Sequence, residues 1–197
     1  MTGKYAEWNR GQEEALLNTL GGIHGAKEVL RGHRVAVANR HFIDCDKDPF
    51  VPANMRLTRH RKGGVYEIIP ANIKRFLIPD QSKPFGVRGG QIREEIFNAS
   101  ESSQIREGAI LNVNVLDYLL ADTKIIPEYL KPADTTTIYA LILCFWGTEY
   151  EDLSFSNRPC IRGLRWSKYT GSWEVVTLYI DLLFHEWQPT ARYGGTG

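Results

Sequence analysis

The clearest pattern in the chain is an alternation of side chains from Trp173 to Phe184, near the C-terminal end. In a β-strand, successive side chains point to opposite faces of the sheet. One face of this predicted strand is wholly apolar and is expected to meet the core: Val176, Leu178, Ile180, Leu182 and Phe184. The opposite face mixes aromatic, aliphatic and polar groups: Trp173, Val175, Thr177, Tyr179 and Asp181.

The residues before this strand, 160–169, predict a second strand that is joined to it by a hairpin turn. Thr170 and Gly171 lie at the turn, where glycine permits the positive backbone angles that tight hairpins need. Pairing of Lys168 with Trp173 is expected, and this register places four further side chains on the mixed face. These are Arg162, Leu164, Trp166 and Lys168.

Apolar residues run almost without interruption from 138 to 146, which predicts a central strand covered on both faces. With the two hairpin strands, this segment predicts an antiparallel meander. The polar stretch 131–137 separates the meander from a first part of the chain in which helical spacing predominates.

Helical spacing in the first part predicts a helical hairpin at 9–31, where Asn9 caps the first helix and glycines end both. The further predicted elements are a strand at 34–39, a strand and then a short helix within 63–78, and helices at 89–97 and 110–122.

These elements predict an α+β fold. Residues 1–131 hold the helical hairpin and a mixed α/β lobe, and residues 132–197 hold the antiparallel β-meander, with the two lobes free to pack as one compact domain. A chain of 197 residues with 43% hydrophobic and 24% charged residues has the balance of an ordinary globular protein. At this length it buries a core without needing metals or disulfides.

Charge and cysteine usage narrow the possible surroundings of the protein. The net charge of +1 provides no global field for nucleic acid or acidic membranes, so any such partner must be recognised locally. Three cysteines without a CxxC pair favour a reducing compartment over a disulfide framework or a zinc site. Because no apolar run reaches the roughly 18 residues of a membrane span, we expect a cytoplasmic protein with no membrane partner.

Neither a metal nor a cofactor is expected from the motifs. Asp44, Asp46 and Asp48 alternate as in a calcium loop, but Pro49 and Met55 stand where that loop needs glycine and glutamate. The basic run 56–62 is interpreted as a solvated turn, with phosphate binding as the alternative.

No catalytic motif assembles by spacing, so an enzyme of unknown class is only an alternative. Its candidate groups are an acid/base cluster of Asp181, His185 and Glu186, or a nucleophilic thiol at Cys144 or Cys160.

The mixed face of the hairpin carries the functional hypothesis. Either the N-terminal helices cover it and its Trp rings are core, or it is exposed and binds a partner through residue types common at binding hot spots. The second interpretation predicts a non-catalytic protein that recognises a protein, a glycan or a small ligand. A nucleic-acid-binding module, with bases stacked on the rings and phosphates on the cations, is the alternative. The predicted ligand-binding residues are Arg162, Trp166, Lys168, Trp173, Tyr179, Trp187, Arg192 and Tyr193.

Several motifs occur along most of the chain: RGQEEALLNTLGG, HRKGG, NVLDYLLAD and FWGTEY, followed by the aromatic hairpin. In this combination the sequence resembles a family of uncharacterised small proteins that recurs in the reduced genomes of candidate-phylum bacteria. The resemblance implies no particular activity. It does imply that relatives differ most in the aromatic hairpin and tail, as in diversified ligand-binding proteins, which often have a C-type-lectin-like fold.

Overall fold

The chain divides into two compact units, Met1–Arg40 and His41–Gly197. The computed structural model describes residues 41–98, 109–131 and 141–194, together with Lys27, which is helical and exposed. The predicted helical hairpin at 9–31, apart from Lys27, and the predicted strand at 34–39 lie outside the described residues. The elements below belong to the second unit.

Strands dominate the described part of this unit. They are β1 (His41–Asp44), β2 (Met55–His60), β3 (Val65–Ile68), β4 (Ile73–Phe76), β5 (Val87–Arg88), β6 (Ala109–Ile110), β7 (Ile142–Cys144), β8 (Thr148–Asp152), β9 (Arg158–Ser167), β10 (Ser172–Tyr179), β11 (Leu183–Phe184) and β12 (Thr190–Tyr193). The α-helices described are α1 (Gly89–Asn98) and α2 (Val113–Ala121), and short 3-10 turns include Thr123–Ile125 and Glu128–Leu130.

An eight-stranded mixed sheet forms the centre of the unit. Its order is β2-β8-β9-β7-β12-β4, with β10 also paired to β9 and β6 also paired to β12. The β7–β12 pair is parallel, and the other pairs described in this sheet are antiparallel. Two smaller ladders, β1 with β3 and β5 with β11, lie outside it.

Both faces of the central strand β7 are buried, as its apolar sequence predicts. Leu143 and Phe145 point into one core cluster with Leu116 and Leu119 of α2. Cys144 and Trp146 point into a second cluster, which contains Ile92 and Ile96 of α1. Because neighbouring side chains alternate between faces, the uninterrupted apolar run supplies both clusters. Among the described elements, the sheet is therefore a middle layer with α2 packed on one side and α1 on the other.

Helix α2 lies within the predicted segment 110–122 but begins at Val113, with Asn112 as its cap. The Asn112 side chain accepts a hydrogen bond from the Asn114 backbone N–H, which satisfies one of the free donors at the helix start. Gly147 approaches this cap so closely that a Cβ there would lie 2.8 Å from the Asn112 Cα. Glycine at 147 therefore lets the sheet and the helix start meet.

The predicted fold class is wrong. In the described ranges of the first part, 41–98 and 109–131, strands predominate over α-helices, because β2, β4 and β6 lie there and join β7–β10 and β12 in one sheet. The segment 71–78, predicted as a short helix, contains strand β4 instead. The three strands predicted for the meander do pair antiparallel in the predicted order, β7 with β9 and β9 with β10. They form no separate β lobe, because β8 also pairs with β9 and β12 runs parallel to β7 in the larger sheet. The C-type-lectin-like alternative falls with this prediction. Short strands that pair with distant partners leave too little local periodicity to be recognised.

The predicted strand 173–184 is shorter than expected. It ends at Tyr179, and Leu183–Phe184 form a separate strand that pairs with β5. Ile180 and Phe184 are buried as predicted, but Leu182 is 49% exposed. The chain turns at 180–182, so alternation no longer decides which side chains meet the core.

Candidate functional site

The β9–β10 hairpin brings two tryptophans together at one end of the sheet. Its turn spans residues 168–171, and Gly171 has a φ of 62°, a left-handed conformation that favours glycine. Ser167 pairs with Ser172, and Trp166 pairs with Trp173. The two indole rings meet edge to face, with centroids 5.4 Å apart and planes at 71°.

The register differs from the predicted pairing of Lys168 with Trp173. Trp173 pairs with Trp166 instead, a shift of two residues. Side chains alternate with a period of two, so a shift of two leaves every strand residue on its predicted face. Arg162, Leu164 and Trp166 therefore share a face with Trp173 as predicted, whereas Lys168 lies in the turn.

A cleft of about 330 Å³ opens beside these rings, and we call it the Trp cleft. The hairpin end forms one wall, and the segment that follows α2 forms the other. Its lining residues are Thr123, Lys124, Ile126, Glu128, Lys131, Trp166, Gly171, Ser172 and Trp173. Both indoles are half-buried, so each ring keeps part of its surface available within a supported site.

The Trp cleft contains charged groups of both signs. The Lys131 ammonium lies 4.4 Å from the centroid of the Trp166 ring and 2.9 Å from a carboxylate oxygen of Glu128. Attraction between a cation and the negative ring face adds to this ion pair. Lys124 is a second cation in the lining. An apolar ring surface thus lies next to groups that donate and accept hydrogen bonds.

A polar network on the other face of the hairpin supports its turn. Glu174 accepts hydrogen bonds from Arg165 at 3.0 Å and from Thr170 at 2.9 Å. These bonds lower the pKa of the Glu174 carboxyl, with the Arg165 bond the largest cause. The turn is therefore held by side chains from both strands.

The mixed face is not a single exposed surface, because part of it is core. Arg162 is 6% exposed and forms an ion pair with Asp117 of α2 at 2.8 Å. Leu164 is buried in the core cluster beneath α2. Tyr179 is half-buried, donates to Asp152 at 2.8 Å and lies under the Arg158 guanidinium. Helix α2 thus covers this part of β9. The N-terminal helices, which the core interpretation expects over this face, lie outside the described residues.

The remaining predicted residues lie elsewhere. Trp187 is stacked on His185, with ring centroids 4.4 Å apart. Arg192 and Tyr193 belong to β12, and the Arg192 guanidinium lies over the Phe76 ring. Strand β12 starts beside Cys144 and runs parallel to β7, so it extends away from Ile142. Ile142 pairs with Arg165, the neighbour of Trp166, and β12 therefore leads away from the sheet end that holds Trp166. Of the eight predicted residues, Trp166 and Trp173 line the Trp cleft.

A second cleft, of about 540 Å³, is not predicted by the sequence patterns, and we call it the Phe cleft. Its two phenylalanines are well exposed, Phe42 at 55% and Phe50 at 62%. The lining residues are Phe42, Ile43, Asp44, Lys47, Asp48, Pro49, Phe50, Asn114, Asp117 and Tyr118. The sequence signal for this cleft is the pair of phenylalanines that flank the acidic stretch. The residues that α2 contributes to the lining could be recognised only from the fold.

Two of the three aspartates resembling a calcium loop, Asp44 and Asp46, accept backbone hydrogen bonds. One Asp44 oxygen accepts the amide N–H groups of Asp46 and Lys47, and one Asp46 oxygen accepts those of Gly63 and Gly64. Within the described residues, no group of three or more His, Cys, Asp or Glu side chains is arranged to hold a metal ion.

The basic run 56–62 is largely built into the sheet. Arg56 forms an ion pair with Glu151 on the neighbouring strand, and Glu149 lies 3.0 Å from the Nε atom of Arg93 and 3.8 Å from Arg59. Burial raises the pKa of Glu149 despite these cations. Arginines paired in this way are less available to a phosphate than arginines in a solvated turn.

The groups named for the enzyme alternative do not assemble. Asp181 pairs with Arg158 at 2.9 Å rather than with His185. Burial raises the pKa of the Cys160 thiol to about 11 and that of Cys144 still further, so both are protonated at neutral pH. A protonated buried thiol is a poor nucleophile.

Comparison of the chain with protein-family models, with curated proteins and with solved structures finds no match. The resemblance to the candidate-phylum family therefore stays a prediction. Neither helix in the described ranges is long and apolar enough to cross a membrane.

Proposed function

We propose that this protein is a non-catalytic binding protein that holds an apolar group of its ligand against Trp166 and Trp173. The observation that supports this proposal is the Trp cleft itself: two half-buried indoles meeting edge to face beside charged and hydroxyl groups. Half-buried tryptophans in a supported recess are typical of binding hot spots, because they offer a large and rigid contact area.

The proposed ligand contacts only part of the mixed face. Arg162 and Leu164 stabilise the fold, since both are buried beneath α2. The ligand therefore meets the open end of the hairpin, where Glu128 and Lys131 are close to the rings. Thr123 and Ser172 add hydroxyl groups at the same place.

Nucleic acid is the second candidate, and the lysines of the Trp cleft favour it. Lys124 and Lys131 line the cleft beside two rings on which bases stack. Glu128 offsets part of that charge through its ion pair with Lys131. The two candidates differ in salt dependence, because phosphate contacts release counterions and weaken steeply as salt rises.

The test is binding of the full chain to a peptide array, a glycan array and a pool of single-stranded RNA and DNA. Any ligand found is titrated against Trp166→Leu and Trp173→Leu. Each variant is expected to weaken binding about thirtyfold, which corresponds to about 2 kcal/mol for a hot-spot tryptophan. The affinity is then measured at several salt concentrations.

Tyr169→Ala is the matched control. Tyr169 is a fully exposed aromatic in the same turn and is not among the lining residues of the Trp cleft. Its removal is expected to leave affinity within about twofold of the parent. Equal losses for Tyr169→Ala and the tryptophan variants would contradict the proposal, as would unchanged affinity in both tryptophan variants. Thermal unfolding of each variant shows that it is folded.

We infer a cytoplasmic location as part of this proposal. Cys45, Cys144 and Cys160 are buried and form no disulfide bond, which supports a reducing compartment. Secretion of the chain into an oxidising compartment in a fractionation experiment would overturn this inference.

A further inference from the structure

The Phe cleft is a preformed recess rather than a gap between loose segments. The Asn114 side chain donates to the backbone oxygens of Asp44 and Lys47 at 3.0 and 2.8 Å. The Tyr150 hydroxyl donates to the backbone oxygen of Phe50 at 3.0 Å. These bonds tie the loop after β1 to helix α2 and to the central sheet. The ring of Phe50 takes no part in them.

The charge of the Phe cleft favours a cationic occupant. Its lining carries the carboxylates of Asp44, Asp48 and Asp117 and the ammonium of Lys47. Arg162 neutralises Asp117 from beneath through two hydrogen-bonded contacts, at 2.8 and 3.2 Å. One net negative charge remains beside two exposed aromatic rings. A side chain with an apolar stem and a cationic end matches that combination.

The two clefts lie on the same face of the sheet. Thr177 of β10 is the strand partner of Arg162, whose guanidinium lies 5.6 Å from the Phe50 ring centroid. Trp173 of the Trp cleft is four residues before Thr177 on the same strand and face. At about 3.3 Å per residue, the two positions are roughly 13 Å apart. Val175, which lies between them, and Thr177 itself are exposed.

We propose that the Phe cleft is a second binding site for a lysine or arginine side chain of an extended polypeptide, whose apolar side chain occupies the Trp cleft. This inference rests on the proposed function of the Trp cleft and names its ligand class. Two side chains four residues apart in an extended peptide lie on one face and span about 13 Å, the separation along β10 of Trp173 from Thr177, which pairs with Arg162 beneath the Phe cleft. Negative charge at the Phe cleft repels a nucleic-acid backbone, and a neutral glycan gains nothing from it.

The test uses acetylated, amidated hexapeptides with tryptophan or leucine at position 1 and lysine, methionine or glutamate at position 5. The remaining positions are mixtures of serine, glycine and threonine. Affinities for the full chain are expected to rank lysine above methionine and methionine above glutamate. The lysine-to-methionine ratio is expected to be about two- to fivefold, the effect of one exposed ion pair. No difference between the lysine and methionine peptides in the parent protein overturns the inference.

Two variants locate the preference in the Phe cleft. Asp48→Asn is expected to reduce the lysine-to-methionine ratio towards one. Phe50→Ala is expected to weaken both peptides about tenfold, while its backbone oxygen still accepts the Tyr150 bond. Glu94→Gln makes the same charge change at an exposed site on α1, which packs on the opposite face of the sheet, and is expected to keep the ratio. A ratio lost equally in Glu94→Gln and Asp48→Asn contradicts the proposed site.

The two proposals fail in different ways. If a glycan or nucleic acid binds with dependence on Trp173 and no peptide binds, the proposed function stands and the inference about the Phe cleft is wrong. If peptides bind with a lysine preference but Trp173→Leu leaves their affinity unchanged, the Phe cleft stands and the proposed role of the Trp cleft is wrong.

Discussion

Lys131 places its ammonium 4.4 Å from the centroid of the Trp166 ring, so a cation from the segment after α2 covers one face of a hairpin tryptophan. The same ammonium pairs with Glu128. This contact joins the two walls of the Trp cleft, which come from parts of the chain far apart in sequence. It is accessible to a direct energetic test.

A double-mutant cycle of Lys131→Met and Trp166→Leu is expected to give a coupling free energy of about 0.5–1 kcal/mol, the range for a partly exposed cation–ring pair. Urea denaturation of the four proteins measures it. Lys124→Met is the control, because Lys124 lines the same cleft without a described ring contact. A coupling to Trp166 no larger for Lys131 than for Lys124 would show that the contact contributes nothing to stability.

Arg162→Ala is expected to reduce the free energy of unfolding by about 3 kcal/mol. The substitution removes a buried guanidinium and leaves Asp117 without its ion-pair partner. Arg158→Ala is the matched control, since Arg158 pairs with Asp181 at the surface and its loss is expected to cost about 1 kcal/mol or less. Chemical denaturation compares the two. Similar small losses would mean that the Arg162 pair is not structural.

Ile180→Ala is expected to cost about 2–5 kcal/mol, because Ile180 is buried in the core cluster on the α1 side of the sheet. Leu182→Ala is expected to change stability by no more than about 0.5 kcal/mol, since Leu182 is half-exposed. Both residues belong to the stripe that alternation predicts as core. Equal losses of stability at the two positions in urea denaturation would show that Leu182 is also core, as the predicted longer strand 173–184 requires.

Stability is expected to fall as the pH is lowered through about 6.5, in part because of His60. Burial is the largest cause that lowers the pKa of His60 in the folded protein. Its ring bonds Thr148 through one nitrogen and the Cys45 backbone oxygen through the other. The unfolded chain therefore takes up the proton first, and below the unfolded pKa this favours unfolding.

Urea midpoints between pH 7.5 and 5.5 measure this effect, with His60→Gln as the variant that removes it. Subtracting the stability of the variant from that of the parent at each pH removes the contributions of other titratable groups. One of these is Glu149, whose raised pKa changes stability with pH in the opposite direction. His185→Gln is the control histidine. A parent and a His60→Gln variant with the same pH slope would show that His60 does not contribute.

Parts of the fold follow from local sequence alone. Helix α2 is predictable because its cap, Asn112, and its apolar stripe lie within ten residues of each other. The hairpin faces are also predictable, and they survive an error of two residues in register because side chains alternate with a period of two. These features depend on backbone geometry over short distances, which a sequence pattern records directly.

Tertiary structure decided which strands became neighbours and which side chains remained exposed. The pairing of β12 with β7 and β4 joins segments up to about 120 residues apart, and no local pattern specifies such partners. Alternation placed Arg162 and Trp166 on one face, but only the packing of α2 buried the first and left the second beside a cleft. The Phe cleft likewise exists only because hydrogen bonds hold the β1 loop against α2. Burial depends on what packs against a face, whereas sequence periodicity determines only which residues share it.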